Sequence, residues 1–442
     1  MSTSSTTGID VAATVDSLMY LARAPERQMQ AQQAALDSQV TALQNLQSSL
    51  STFTTNVDSL KDVTGVFGTM AAMSSDSTLV SATADSGAIS GSHVIVVTNL
   101  SSTSSIYSAS LGSATTSFGS GSLKITIGSG SEVSIDFDDA HNTLQTAADL
   151  INSKKLGITA SVVTDSKGAR LAIVSDESGE VGDIKIVSDT AGLSFSQGSS
   201  GKNAELTVDG VPVSSATNSI SGVLAGVTLR LAGAHDGQEV KIAISPDTGR
   251  IKAAINSFVS TFNGLITGLN NQFKTTSGKA PGVLAGDSSV RDVQSQLLSV
   301  TGFIYSGGGS ITSLSDIGIR MNDDGSLQMT DADLDRALSF HFDDVKNFVQ
   351  GIGPDGFART LGSALHSLSD STEGAVALDI KGIQANSQAF NDMIDTFEVR
   401  MADRQQQLTL QYNQIDSMLK AFTSTQTQIT SLLGSLPTYT NQ

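Results

Sequence analysis

The chain predicts an α+β multidomain fold. A terminal α-helical coiled-coil stalk, in which the N- and C-terminal helices pack together, carries a nested pair of β-rich head domains. Three observations predict it. Apolar residues recur every seven positions at both ends, the period falls to two across the middle, and two Ser/Gly-rich stretches bracket one block of that middle inside another.

The N-terminal series is Met29, Leu36, Leu43, Leu50 and Val57, with Leu46, Phe53 and Leu60 three residues after members of it. That is an a/d seam. No Gly lies between Ile9 and Lys61 and the only Pro there is Pro25, so one helix is expected from about Pro25 to Leu60. Between Leu79 and Ser245 alternation takes over. Strands are expected at Leu123–Ile127, Val133–Phe137, Ile158–Thr164, Ala169–Val174 and Ile184–Val187, with a helix at Thr143–Ser153. A second β block runs from Ala204 to Ile244, with Asp209-Gly210 and Asp236-Gly237 as hairpin turns. Ser101–Ser110 and Ser194–Gly201 read as linkers that make the first block an insertion in the second.

Helical periodicity returns at Ile251, Ile255, Phe258, Phe262, Leu265, Leu269 and Phe273, where Gly264 and Gly268 would permit close packing. The C-terminal series is Ile394, Met401, Leu408, Ile415, Phe422, Ile429 and Leu436, stopped by Gly434 and Pro437. Its companion positions include the polar Arg404, Gln411 and Thr425, which weaken a coiled coil and restrict its partner and register. The simplest burial packs both terminal helices against each other and the Ile251 helix. The expected division is 1–40 with 405–442 as terminal leg helices, mobile in the monomer, and 41–75 with 250–404 as the stalk. Residues 76–104 with 196–249 form one β-rich head domain, and 105–195 an inserted outer domain with one helix. The expected assembly seam is Met29, Leu36, Leu43, Leu50 and Val57 against Ile394, Met401, Leu408, Ile415, Phe422 and Ile429.

Composition narrows the function. With 43 Asp+Glu against 25 Lys+Arg the net charge is −18, which opposes phosphate backbones and anionic lipid, so neither nucleic acid nor a membrane surface is an expected partner. The absence of Cys removes disulfides, thiolate nucleophiles and Cys-based zinc sites. No apolar run approaches the roughly 18 residues of a membrane span. The Ser/Thr-rich start has no basic segment followed by an apolar one, so no cleaved signal peptide is expected.

Motifs with catalytic or ligand-binding potential read more simply as structure. His93, His141, His235, His341 and His366 show no metal spacing. Gly201-Lys202 and Gly278-Lys279 lack the remainder of a phosphate-binding loop. Gly286-Asp287-Ser288 resembles the setting of some serine nucleophiles, but Asp287, Ser288 and Ser289 are better helix caps for the Val290, Val293, Leu297 pattern. Asn322-Asp323-Asp324-Gly325 resembles a calcium loop, yet Arg320 stands where the first carboxylate belongs. A hairpin of Ile317–Met321 and Ser326–Met329, with Thr330 capping a helix, is expected instead. Asp138-Asp139 precedes a helix and Asp343-Asp344 lies on one, neither with an acid–base partner. No catalytic site, metal site or cofactor is expected, and the chain reads as a non-enzyme.

Four stretches, in this order and spacing, resemble the bacterial flagellar filament cap family, hook-associated protein 2. They are Gly8-Ile9-Asp10 with Val15, Leu18, Met19 and Pro25; Asn218-Ser219-Ile220 and Gly226-Val227-Thr228-Leu229 with Phe262-Asn263; Leu284 to Ser288 with Leu314, Ile317-Gly318-Ile319 and Gly325-Ser326-Leu327; and Gly374-Ala375 with Lys381-Gly382-Ile383. Many relatives have Tyr where Phe262 stands. The Leu123–Val187 block resembles a β-rich insertion of flagellar hook, hook-associated and filament proteins.

The resemblance implies a structural protein at the distal filament tip, extracellular and secreted without a cleaved signal peptide. It implies a homo-oligomeric ring, of five subunits on the filament, that retains exported flagellin and promotes its folding and insertion. Flagellin, the type III export apparatus and an export chaperone acting at the C-terminal region are the implied partners. Adhesion to host surfaces is a further family association. Two alternatives stay open at this point: another axial protein, such as a hook–filament junction protein or a flagellin, and a stalked adhesin with a glycan-binding head.

Overall fold

In the computed structural model, which describes residues 10–274, 281–351 and 355–434, helices occupy both ends of the chain and strands its middle. Gly8-Ile9, Gly278-Lys279, Leu436 and Pro437 lie outside the described residues. The helices are α1 (Val11–Ala22), α2 (Ala24–Lys61), α3 (Leu144–Ser153), α4 (Thr248–Phe273), α5 (Ser288–Ser299), α6 (Asp331–Phe340), α7 (Phe342–Gln350), α8 (Phe357–Ser369) and α9 (Ala375–Gly434). The strands are β1 (Met70–Ser74), β2 (Val80–Ala84), β3 (Gly91–Asn99), β4 (Thr103–Tyr107), β5 (Gly121–Ile127), β6 (Val133–Phe137), β7 (Ile158–Asp165), β8 (Gly168–Ser178) and β9 (Ile184–Asp189). They continue as β10 (Ser196–Ser199), β11 (Ala204–Val208), β12 (Val211–Ser215), β13 (Ser219–Leu224), β14 (Val227–Leu231), β15 (Glu239–Pro246), β16 (Ile319–Met321) and β17 (Leu327–Met329). They form two compact units, one of the two chain ends (Met1–Lys61 with Lys252–Gln442) and one of the middle (Asp62–Ile251).

In the helical unit, α2 keeps the expected length, with Pro25 in its first turn, where the missing N–H removes no hydrogen bond. Leu43, Leu50, Phe53 and Val57 are fully buried, each such burial contributing about 1.5–3 kcal/mol. Phe53 packs on Phe258 and Phe262 of α4 at ring separations of 5.4 and 5.9 Å, and Phe258 meets Phe357 of α8 edge-on at 5.6 Å. Helix α8, which the heptads do not announce, therefore shares the core with α2, α4 and α9. The close packing expected at Gly264 and Gly268 is not found. A Cβ at either would meet nothing within 4 Å, and both line a shallow groove beside Ala42 and Leu46.

The calcium-like stretch is the hairpin β16–β17, starting two residues later than expected because Leu314–Ile317 is a 3-10 turn closed by left-handed Gly318 (φ 80°). Asn263 of α4 holds it through both backbone groups of Leu327, at 2.7 and 2.6 Å. Thr330 stands at the start of α6 but its hydroxyl makes no cap hydrogen bond. Asp287 does cap α5, accepting from the Ser289 and Val290 N–H groups.

The middle unit holds a five-stranded sheet (β1-β15-β3-β11-β12), a four-stranded sheet (β10-β4-β8-β7) and two three-stranded sheets (β13-β14-β2 and β6-β5-β9). Two apolar clusters fill it. One gathers residues from Ile106 to Leu193 around α3; the other joins Val80, Ile95 and Val97 to residues from Ala204 to Ile244. The sequence division at 75 falls inside this unit, because β1 pairs with β15 from Met70–Pro246 to Ser74–Ile242.

The Ser/Gly-rich stretches are not linkers. They form β4 and β10, which pair with each other, and β4 pairs with β8. Ser104 and Ser108 are fully buried, and their hydroxyls accept from the Ile184 and Leu171 N–H groups at 2.9 Å each. A small hydroxyl here replaces a backbone partner, so the stretch carries strand hydrogen bonding without strand hydrophobicity. Asp209-Gly210 closes the β11–β12 hairpin with φ of 51° and 80°, as a two-residue turn with both φ positive requires. Asp236-Gly237 is a turn but joins β14 and β15, which lie in different sheets, so it closes no hairpin.

Candidate functional site

The sequence points to the terminal helices, and their geometry follows from two polar ties. The Gln33 side-chain amide donates to Asn391 Oδ1 at 2.7 Å, and Ser387 Oγ donates to Asp37 Oδ1 at 2.7 Å. Four residues forward along α2 is four residues back along α9, so the helices are antiparallel. Helix α1 follows α2 onto α9, with Val15 and Met19 buried. Arg23 closes α1 and pairs with the buried Glu26 in the first turn of α2, at 3.1 Å. Carboxylates favour that end of a helix.

The eleven expected seam residues fall into three groups. Leu43, Leu50, Val57 and Ile394 are buried. Met29, Leu36, Met401 and Leu408 are half-buried, and Ile415, Phe422 and Ile429 are 42%, 71% and 52% exposed. By this register Met29 lies level with Ile394, Met401 and Leu408 lie level with α1, and Leu50 and Val57 lie before the start of α9, where α8 packs on α2, so the structure does not join the eight into one seam; the third group is exposed. The register gives the reason. Asp10, the first described residue, falls level with about residue 414 of α9, so roughly the last 20 residues of that helix, about 30 Å, run past it. Met418, Leu419, Phe422 and Ile429 keep an apolar stripe at helical spacing along this stretch. The polar seam positions Arg404, Gln411 and Thr425 are exposed.

The heptad pattern did not reveal the ties Gln33–Asn391 and Asp37–Ser387. They sit beside the apolar seam, and only the antiparallel register matches them. Among the histidines, four meet carboxylates: His93 with Asp209 and His141 with Asp138 at 2.7 Å, His366 with Asp58 at 3.1 Å, and His341 with Asp344 at 3.8 Å. Asp138 thus works in its own turn rather than on the helix dipole, accepting from the Ala140 and His141 N–H groups, while Thr143 and Thr146 cap α3. The hydrogen bond from His141 holds the Asp138 carboxyl below its usual range. Among the described residues no group of three or more His, Cys, Asp or Glu is placed to hold a metal.

These features define a class: a protein whose two chain ends pack together as antiparallel helices and whose last helix ends in an exposed apolar stripe. The family follows from the comparisons. The model of the flagellar hook-associated protein 2 C-terminus matches residues 201–424, that of its N-terminus residues 7–104, and that of the flagellin hook IN motif residues 122–177. The B-type flagellar hook-associated protein 2 of Pseudomonas aeruginosa is 30% identical over 432 residues, covering 90% of each chain. The flagellar hook-associated protein 2 of Escherichia coli K12 is 28% identical over 456 residues, covering 96% of each. The crystal structure of the D1-D2-D3 domains of the flagellar cap protein FliD from Escherichia coli matches with a TM-score of 0.59 at 27% identity, covering 78% of this chain and 99% of that one. The chain belongs to the flagellar hook-associated protein 2 family.

Proposed function

We propose that this chain caps the distal end of the bacterial flagellar filament as a ring of its own copies, of five subunits on the filament. The ring retains exported flagellin and promotes its folding and insertion, so filament elongation and motility depend on it. The observation that carries the reading is the apolar end of α9, with Ile415 and Phe422 exposed. Such a stripe gains its burial energy only when a neighbouring surface covers it, about 1.5–3 kcal/mol for each large residue. Polar seam positions such as Arg404 and Gln411 keep the contact weak enough to be remade as subunits are added.

The same reading places the protein outside the cell at the filament tip. It leaves through the flagellar type III export apparatus, without a cleaved signal peptide, aided by an export chaperone acting at its C-terminal region. It acts as a structural protein rather than an enzyme, without a cofactor and without binding nucleic acid or inserting into a membrane. A junction-protein or flagellin role, or a stalked adhesin, is not favoured, since the full-length relatives described above carry the hook-associated protein 2 name. Electron microscopy of gold-labelled protein on native filaments tests the placement. Label confined to distal tips supports it, and label at the hook or along the shaft contradicts it.

A further inference from the structure

Arg320, the cation that spoils the calcium-like loop, borders a site of another kind. From β16 it lines a cleft of about 360 Å³ together with Arg336 of α6, His341 and Ser310. The carboxylates around this cleft already have donors. Asp316 accepts from the Thr312 and Ser313 N–H groups at 2.9 Å each, and Asp333 pairs with Arg336 at 3.2 Å. Asp344 accepts from the Ser310 N–H and hydroxyl at 3.0 and 2.7 Å. Among the described residues, no hydrogen bond or ion pair holds the Arg320 guanidinium. The Arg336 side chain stays 68% exposed beside its one partner.

The Ser310, His341 and Asp344 side chains are not a catalytic triad. The serine hydroxyl proton goes to Asp344, whereas a hydrolase needs the histidine to take it and the carboxylate to sit behind the histidine. Asp316 and Asp333 also line the cleft, but both are engaged by donors of the chain itself, so the groups left to a ligand are the guanidinium donors. Guanidinium forks match carboxylate geometry, and two of them here face open space in a chain whose net charge is −18. Phe340, one helical turn beyond Arg336, is 77% exposed. Aromatic residues, Phe among them, and Arg are enriched at protein-binding surfaces.

We propose that this cleft receives a carboxylate from an acidic segment of a partner protein, with Arg320 as its main ligand, Arg336 as the second, and Phe340 packing on an adjacent apolar side chain. The inference goes beyond capping and stands without it. The test uses the full chain and two fluorescein-labelled peptides, four Glu-Leu repeats and four Lys-Leu repeats, followed by anisotropy at low salt. The acidic peptide should bind and the basic one should not, although the overall charge of the chain favours the reverse. Arg320→Glu should weaken binding at least tenfold, Arg336→Glu and Phe340→Ser several-fold, and Arg320→Lys to an intermediate degree, all with unchanged thermal melts. Failure of the acidic peptide to bind, or equal binding by the folded Arg320→Glu and Arg336→Glu variants, overturns the proposal.

Discussion

The Gln33 side chain meets Asn391 across 358 residues of sequence, and together with the Asp37–Ser387 contact it marks the antiparallel register of α2 and α9. Polar pairs beside an apolar seam specify alignment more than they add stability. Asn391→Ala should lower stability by about 0.5–1.5 kcal/mol, the usual net worth of a hydrogen bond. Changing both Gln33 and Asn391 to Leu should recover that loss while broadening the unfolding transition. Urea denaturation of Gln33→Leu, Asn391→Leu and the double variant measures the coupling, and strictly additive changes would show that the pair does not act together.

Burial raises the Asp379 carboxyl above its usual range, and the hydrogen bond and negative charge of Asp287 raise it further. Among the described residues, its Oδ2 is buried without a hydrogen-bond partner. Because the folded-state pKa lies above the unfolded value of 3.8, the fold favours the protonated acid. That stabilisation is fully present below the unfolded pKa and is lost as pH rises through the raised folded value. Ionising the Asp379 carboxyl is therefore a net penalty to the fold. Asp379→Asn should raise the melting temperature at pH 7 and give little advantage below pH 4. An equal shift at both pH values would rule out titration as the cause.

Ser104 accepts from the Ile184 N–H and donates to the Ser199 carbonyl, deep in the four-stranded region. Ser104→Ala leaves a buried N–H without its partner and should cost about 1–3 kcal/mol. Ser105→Ala, on the same strand with its hydroxyl exposed, should cost far less. Chemical denaturation of residues 62–251 compares them. This fragment contains every strand of its four sheets and should melt cooperatively alone. A start at residue 76 would remove β1 from the edge of the five-stranded sheet.

The contrast between Ser104 and Leu50 explains what the sequence makes legible. The Leu50 heptad is periodic within its own helix, so the period alone identifies both the helix and its buried face. Ser104 is equally buried, yet its strand reads as a linker, because its place is set by partners 71 to 95 residues away rather than by its own polarity. The same limit applied to Gly264 and Gly268, whose packing depended on how closely α2 approaches. The α9 seam is legible as a repeat; which residues of α1 and α2 lie opposite it is not, since that depends on the antiparallel register.

The central claim is that the uncovered end of α9 holds the protein on the filament and so retains flagellin. The most direct measurement is the partition of flagellin between filaments and culture medium in cells lacking this protein, complemented with the wild type or with Ile415→Asp/Phe422→Asp. The deletion should leave cells non-motile and spill unpolymerised flagellin into the medium. The wild type should restore filaments, and the double variant should be exported and folded yet leave flagellin in the medium. Normal filaments and swimming in the deletion strain, or full rescue by the double variant, would contradict the account.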